Sequence, residues 1–371
     1  MEMVYVLLLL TQTEWTKYSG NPVMTREGNF YENAIGSPSV IFLRDTFRMY
    51  YAAGGQDGRG RIGYAYSTDG INWVKYDSAT PVLEPDTSSW DSHFLDTPEI
   101  IYDGQYRLYY FGDSDNDPPG GAIGVAVSSD GINWSRPVLS PVVAPGEPGD
   151  WDGLFLESPT VVYDSSSGNY FMYFSGVDTT WRVRIGGAVS SDGISWSKLP
   201  SNPLITPGGP FDWDGFAVAT PTVIKRDTLF EMWYCGASVS DIAADGDVDT
   251  IWIGYATSTD GINWTKHPEN PLFGTYTPPF SAFELRGPWA PDVVFLQDRN
   301  EFMMWYETAF GFGLATSPLT TVHEKVESLP ATDTLGYYLP DGRRIPRPIR
   351  GMYFAVVKTG GRKRVVKVIG R

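Results

Sequence analysis

The sequence predicts an all-β fold: a five-bladed β-propeller closed by its own N-terminal strand and followed by a short C-terminal β-hairpin tail. Three observations predict it. First, one turn recurs almost unchanged, as STDGINW at Ser67–Trp73, SSDGINW at Ser128–Trp134, SSDGISW at Ser190–Trp196 and STDGINW at Ser258–Trp264. Its aspartates, Asp69, Asp130, Asp192 and Asp260, are 61, 62 and 68 residues apart, and a period on this scale marks a repeat architecture. Second, a proline opens a β-branched run five times, so there are five units rather than four. Third, WTKYSGNPV from Trp15 matches WTKHPENPL from Trp264 nearly position for position.

Each unit supplies its strands in the same order. The first follows the opening proline: SPSVIF at Pro38, TPEIIY at Pro98, SPTVVY at Pro159, TPTVIK at Pro221 and APDVVF at Pro291. The second is aromatic: FRMYYAAG from Phe47, YRLYYFG from Tyr106, YFMYFSG from Tyr170, FEMWYCG from Phe230 and FMMWYE from Phe302. The third reads IGYAYS at Ile62, IGVAVS at Ile123, IGGAVS at Ile185, IGYATS at Ile253 and FGLATS at Phe312. A short fourth strand starts at the turn tryptophan. Runs of β-branched and aromatic residues between Gly, Asp and Pro turns read as strands, and four antiparallel strands repeated radially make a propeller blade. The fifth unit lacks the turn and its tryptophan. The segment from Trp15 is expected to supply that strand, closing the ring and hiding two sheet edges.

The expected organisation is residues 1–14 as a signal remnant or an extra strand, 15–320 as the propeller, 321–336 as a linker and 337–371 as a β-rich tail. No stretch approaches the length of a membrane-spanning helix. The net charge of −16 is unevenly spread: residues 341–371 hold ten Lys or Arg against one acid, leaving 18 basic and 43 acidic residues in 1–340. An acidic body argues against a nucleic-acid partner, since phosphate binding needs clustered cations. The single cysteine, Cys235, and three scattered histidines exclude a disulfide framework and argue against a His- or Cys-based metal site. No cofactor is expected, with a structural calcium in the channel left open, and the chain is expected to be a monomer.

Function is sought where the repeats differ. Two positions before the opening proline the units carry Gly36, Asp96, Glu157, Ala219 and Trp289. Carboxylates on two adjacent blades at one equivalent position are not a scaffold requirement, whereas turn capping is the structural alternative. The recurring acids Asp91, Asp152 and Asp214, each after a tryptophan, read instead as a structural corner.

These features resemble the five-bladed propeller glycoside hydrolases of families 43, 32, 68 and 130. The likeness covers about residues 15–318 and rests on the S-x-D-x-x-x-W turns, the YRLYY-like strands, LDTP at Asp96 and LESP at Glu157. It implies Glu157 as general acid and Asp96 as the residue that orients it and tunes its pKa. It also implies a first-blade aspartate, but this chain has Gly36 and Ser37 there. The candidate bases are therefore Asp292, Glu307 and Glu32. Glu307 is aligned with the glycine that ends strand two in three other units. Trp289 and Trp181 are candidates to stack on a sugar, and Arg286 and His93 to hold its hydroxyls.

The tail resembles the last strands of the C-terminal sorting domains of the type nine secretion system, which implies a secreted or cell-surface protein. The expected function is an exported glycoside hydrolase acting on a poly- or oligosaccharide. The alternatives are a non-catalytic carbohydrate-binding propeller and a sialidase-like enzyme; the sialidase turn is one residue longer, and sialidase rings have six blades.

Overall fold

The computed structural model describes residues 14–76, 80–114, 120–238, 251–275, 277, 282–284 and 287–319, together with the strands Val6–Leu9, Thr321–Glu324, Thr334–Tyr338, Arg344–Ile345, Gly351–Thr359 and Arg362–Gly370. Two compact units result, residues 15–316 and residues 1–14 with 317–371. Among the described residues there is no α-helix, only a 3-10 turn at Ala282–Glu284. No helix among them is long and apolar enough to cross a membrane.

The first unit is the five-bladed propeller. Blade 1 is Ala34–Leu43, Thr46–Gly54, Gly60–Ser67 and Val74–Lys75, and blade 3 is Phe155–Asp164, Asn169–Val177, Val183–Ser190 and Ser197–Lys198, each in simple antiparallel order. Blade 2 has Phe94–Tyr102, Tyr106–Asp113 and Ala122–Ser128, with a single bridge from Val127 to Ser135 in place of a fourth strand. Blade 4 is Ala217–Arg226, Leu229–Ala237, Trp252–Ser258 and Thr265–Lys266. Blade 5 is Trp289–Leu296, Glu301–Thr308 and Gly311–Pro318, completed by Thr16–Lys17 from the N-terminus. The match between the two WTK segments is functional in the structure. Asn21 and Asn270 both bracket the third strand of their blade, accepting and donating at Leu314 and Tyr255 respectively.

Three devices repeat around the ring. The Ser–Asp turn is self-contained: Asp69 accepts the amides of Ile71 and Asn72 while Gly70 takes a left-handed φ of 76° that favours glycine. A buried acid pairs with the base two residues past each turn tryptophan, or past Trp15 in blade 5: Glu32 with Lys75, Asp91 with Arg136, Asp152 with Lys198, Asp214 with Lys266 and Glu284 with Lys17. The corner read from Asp91, Asp152 and Asp214 therefore recurs in all five blades.

The third device is a ring of hydrogen bonds around the channel. The residue after each opening proline accepts an amide from the next blade: Ile100 N–H to Ser39, Val161 to Glu99, Val223 to Thr160, Val293 to Thr222 and Val40 to Asp292, at 2.8–3.4 Å. Two of these five acceptors are carboxylates, and burial pushes both up. Glu99 rises to about 7, and Asp292, facing the Glu99 charge as well, rises well above its ordinary value. A folded-state pKa raised above the unfolded value adds stability below the unfolded pKa and loses it as pH rises through the folded one. The fold should therefore weaken between pH 5 and 8. Glu99→Gln should raise the melting temperature at pH 8 and change it little at pH 5. Melting curves at the two pH values check this.

In the second unit, Arg344–Ile345, Thr334–Tyr338, Gly351–Thr359 and Arg362–Gly370 form a four-stranded antiparallel sheet, and Val6–Leu9 pairs with Thr321–Glu324. The tail is thus a sheet rather than a lone hairpin, and strands occupy part of the segment read as a linker.

Candidate active site

Each blade's first strand is interrupted just before its proline. The ladder shifts between Gly36 and Ser39, Asp96 and Glu99, Glu157 and Thr160, Ala219 and Thr222, and Trp289 and Asp292. The residue before the proline takes a left-handed φ in all five: Ser37 48°, Thr97 42°, Ser158 52°, Thr220 46° and Ala290 42°. Non-glycine residues in this region cost about 1–3 kcal/mol each, so the ring over-determines the conformation. A bulge re-aims the side chain beside it. Here it directs the variable positions at one end of the channel.

A cavity of about 260 Å³ opens there, lined by Asp96, Glu157, Glu307, Trp289, Gly36, Ser37 and Phe94 among others. Each of the three carboxylates is half-buried. Burial pushes Glu157 up to about 7, and the Asp96 charge adds to it. Glu307 rises to about 7 by burial, reinforced by Asp96 and opposed by the Ser37 amide it accepts at 2.8 Å. Asp96 is raised by burial, against the amide of Thr97 at 2.6 Å and the hydroxyl of Ser37. Glu157 makes no hydrogen bond to any described residue, and the buried Ser158 hydroxyl beside it has no partner among the described residues. The result is an acid that is protonated up to neutrality and hydrogen-bonded to none of the described residues, next to a second and a third carboxylate.

The structure thus brings together Asp96, Glu157, Glu307 and Trp289. The other candidates fall elsewhere. Glu32 is fully buried at the blade-1 corner, held by Lys75 and by the Tyr51 hydroxyl at 3.0 Å. Asp292 belongs to the channel ring. His93 and Trp181 are not among the residues lining the cavity; Trp181 is 60% exposed and lies edge-on to Phe155. Arg286 lies outside the described residues. The register also corrects the placing of Glu307. Its equivalents are Ala52, Phe111, Ser175 and Cys235; the last three sit one residue before the glycine, and Ala52 sits two before Gly54. Glu99 was not singled out from the sequence. Its signal was a carboxylate where three other blades have Ser or Thr.

No protein-family model matches the chain. It is 30% identical over 236 residues to the uncharacterized protein MT1551 of Mycobacterium tuberculosis, across 60% of this chain and 72% of that protein. It is 27% identical over 234 residues to a 1,2-beta-oligomannan phosphorylase of Thermoanaerobacter, across 59% and 70%. Among solved structures, a glycosyl hydrolase from Bacteroides ovatus superposes with a TM-score of 0.67 at 20% identity, over 88% of this chain and 99% of that one. The chain belongs to the family of the mycobacterial protein, and it shares its fold with the solved hydrolase.

Proposed function

We propose that the protein is an exported glycoside hydrolase that cleaves a poly- or oligosaccharide in the carboxylate-lined cavity. One observation carries the reading: Asp96 and Glu157, from adjacent blades, enter one cavity in which burial and the Asp96 charge push Glu157 up to about 7 and no described residue hydrogen-bonds it. Glycosidic cleavage needs a protonated carboxyl at the leaving oxygen and a second carboxylate at the other face of the sugar. Glu157 is the proton donor, Asp96 holds that proton on, and Trp289 offers an aromatic face to the ring. The C-terminal sheet and its basic strands support export through their likeness to sorting domains.

Water, rather than phosphate, is the acceptor. The oligomannan phosphorylase among the relatives raises the other option. However, the described residues lining the cavity include three carboxylates and no Lys, Arg or His, a field that repels a phosphate dianion. The binding-module reading is favoured by a single observation, the glycine at position 36.

The test is a panel of oligosaccharides, β-1,2-mannosides included, in phosphate-free buffer and with added phosphate. Release of free reducing ends without phosphate supports hydrolysis. Sugar 1-phosphate formed only with phosphate would mean phosphorolysis. Binding without cleavage over days would leave the non-catalytic module.

The pH dependence follows from the same geometry. The donor must keep its proton, so Glu157 sets the alkaline limb of kcat/KM. Asp96→Asn removes the charge that raises Glu157, so its pKa falls and the alkaline limb moves to lower pH. A pH–rate profile of the variant checks the direction.

A further inference from the structure

We propose that Glu307 is the base of this reaction, and that Gly36 is a glycine because the Glu307 carboxylate occupies the space a side chain would need there. The inference rests on the hydrolase reading above. Glu307 lies on the second strand of blade 5, paired with Trp289. At the equivalent position the other blades carry Ala52, Phe111, Ser175 and Cys235, none of which is ionised at neutral pH. A carboxylate among such partners bears a desolvation cost that packing alone does not explain.

Its position explains it. The side chain crosses from blade 5 into blade 1. One oxygen, Oε2, accepts the Ser37 amide at 2.8 Å. A Cβ built on Gly36 would lie 2.7 Å from Oε2, 3.0 Å from Cδ and 3.2 Å from Oε1. The carboxylate therefore fills the volume that a first-blade side chain would take. Gly36 has an ordinary φ, so backbone conformation does not demand glycine there; a Cβ would instead push the neighbouring carboxylate from its place. Glu307 lines the same cavity as Asp96 and Glu157, while Asp292, Glu32 and the corner acids are held by the scaffold. Its second oxygen, Oε1, makes no hydrogen bond to a described residue, which leaves it for a water molecule.

The step balances with water as the sole co-reactant. Glu307 takes a proton from water as the water oxygen bonds to the anomeric carbon. The glycosidic C–O bond breaks, and its electron pair goes to the leaving oxygen, which takes the Glu157 proton. Glu307 ends protonated and Glu157 ionised, and both exchange with solvent. Attack by water from the opposite face inverts the anomeric configuration. Glu307 must be ionised, so it sets the acid limb of the pH profile.

The experiment uses the full chain and an aryl glycoside or oligosaccharide that the wild type cleaves. Glu307→Gln should lower kcat by about 10²–10⁴-fold with KM within a few-fold, remove the acid limb, and leave the melting temperature unchanged or higher. Azide should restore turnover of the aryl glycoside by replacing the base-activated water. Gly36→Ala, which keeps every carboxylate, should lower kcat by displacing Glu307. Gly36→Asp combined with Glu307→Gly should recover part of the loss, because it returns a carboxylate to the same volume. NMR should show an inverted first product. Glu307→Gln with wild-type kcat, while Glu157→Gln is inactive, would overturn the assignment and leave the hydrolase reading standing. A retained configuration would overturn the role as base. A wild type that cleaves no glycan would overturn both.

Discussion

Glu157→Gln is expected to lower kcat by about 10²–10⁴-fold, the usual contribution of a positioned general acid, with oligosaccharide affinity within a few-fold of wild type. The amide keeps the size of the carboxyl and can still hydrogen-bond a glycosidic oxygen, but it has no proton to deliver. The site makes the loss specific. Burial and the Asp96 charge push Glu157 up to about 7, so a large fraction of the wild type holds the proton at neutral pH. The loss should shrink for aryl glycosides whose leaving group needs no protonation. Steady-state kinetics on both substrate types, with calorimetric binding to the variant, check the split. Wild-type turnover in Glu157→Gln would remove Glu157 from the chemistry.

Removing residues 1–23 is expected to abolish the soluble, folded propeller. Thr16 and Lys17 pair with Thr316 and Ala315 as the outer strand of blade 5, and their loss exposes the edge of Gly311–Pro318 to other chains. Trp15 is 5% exposed and packs at 6.4 Å against Trp233, Phe273 and Phe302; losing such a side chain costs about 3–5 kcal/mol. Lys17 and Glu284 are an ion pair with both side chains almost wholly buried, and leaving one buried partner alone costs about another 3–5 kcal/mol. Together these approach the entire 5–15 kcal/mol of a typical domain. Size-exclusion chromatography and thermal melting check the outcome. Lys17→Met in the full chain isolates the ion-pair part and should lower stability without aggregation. A truncated chain that stays monomeric with a wild-type melt would mean blade 5 closes without its fourth strand.

Much of this was legible in the residues. The four turns announce themselves because a Ser–Asp–Gly turn satisfies its own amides, so its signature is local. The strands are legible because alternation and β-branched content reflect burial on a blade face. Ring closure is legible because the Trp15 and Trp264 segments meet the same environment in blades 5 and 4, and so share residues. Asp96 and Glu157 stand out because repetition sets a baseline at each position, and a carboxylate departs from it.

The rest was hidden for a physical reason. Glu32, Asp292 and Glu307 are three acids near blade boundaries, and nothing in their neighbouring residues separates a corner ion pair, a channel hydrogen-bond ring and a catalytic cavity. A one-residue error in aligning strand two places Glu307 on the glycine rather than on Ala52, Phe111, Ser175 and Cys235, and the cross-strand register resolves it. The sequence by itself determined the blades, their order and the two carboxylates that break the repeat, because those follow from local periodicity. Only the tertiary structure decided which third carboxylate joins them. Closing the ring brings Ser37 beside Glu307, 270 residues away in the chain, and a glycine's missing Cβ matters only once that neighbour is in place.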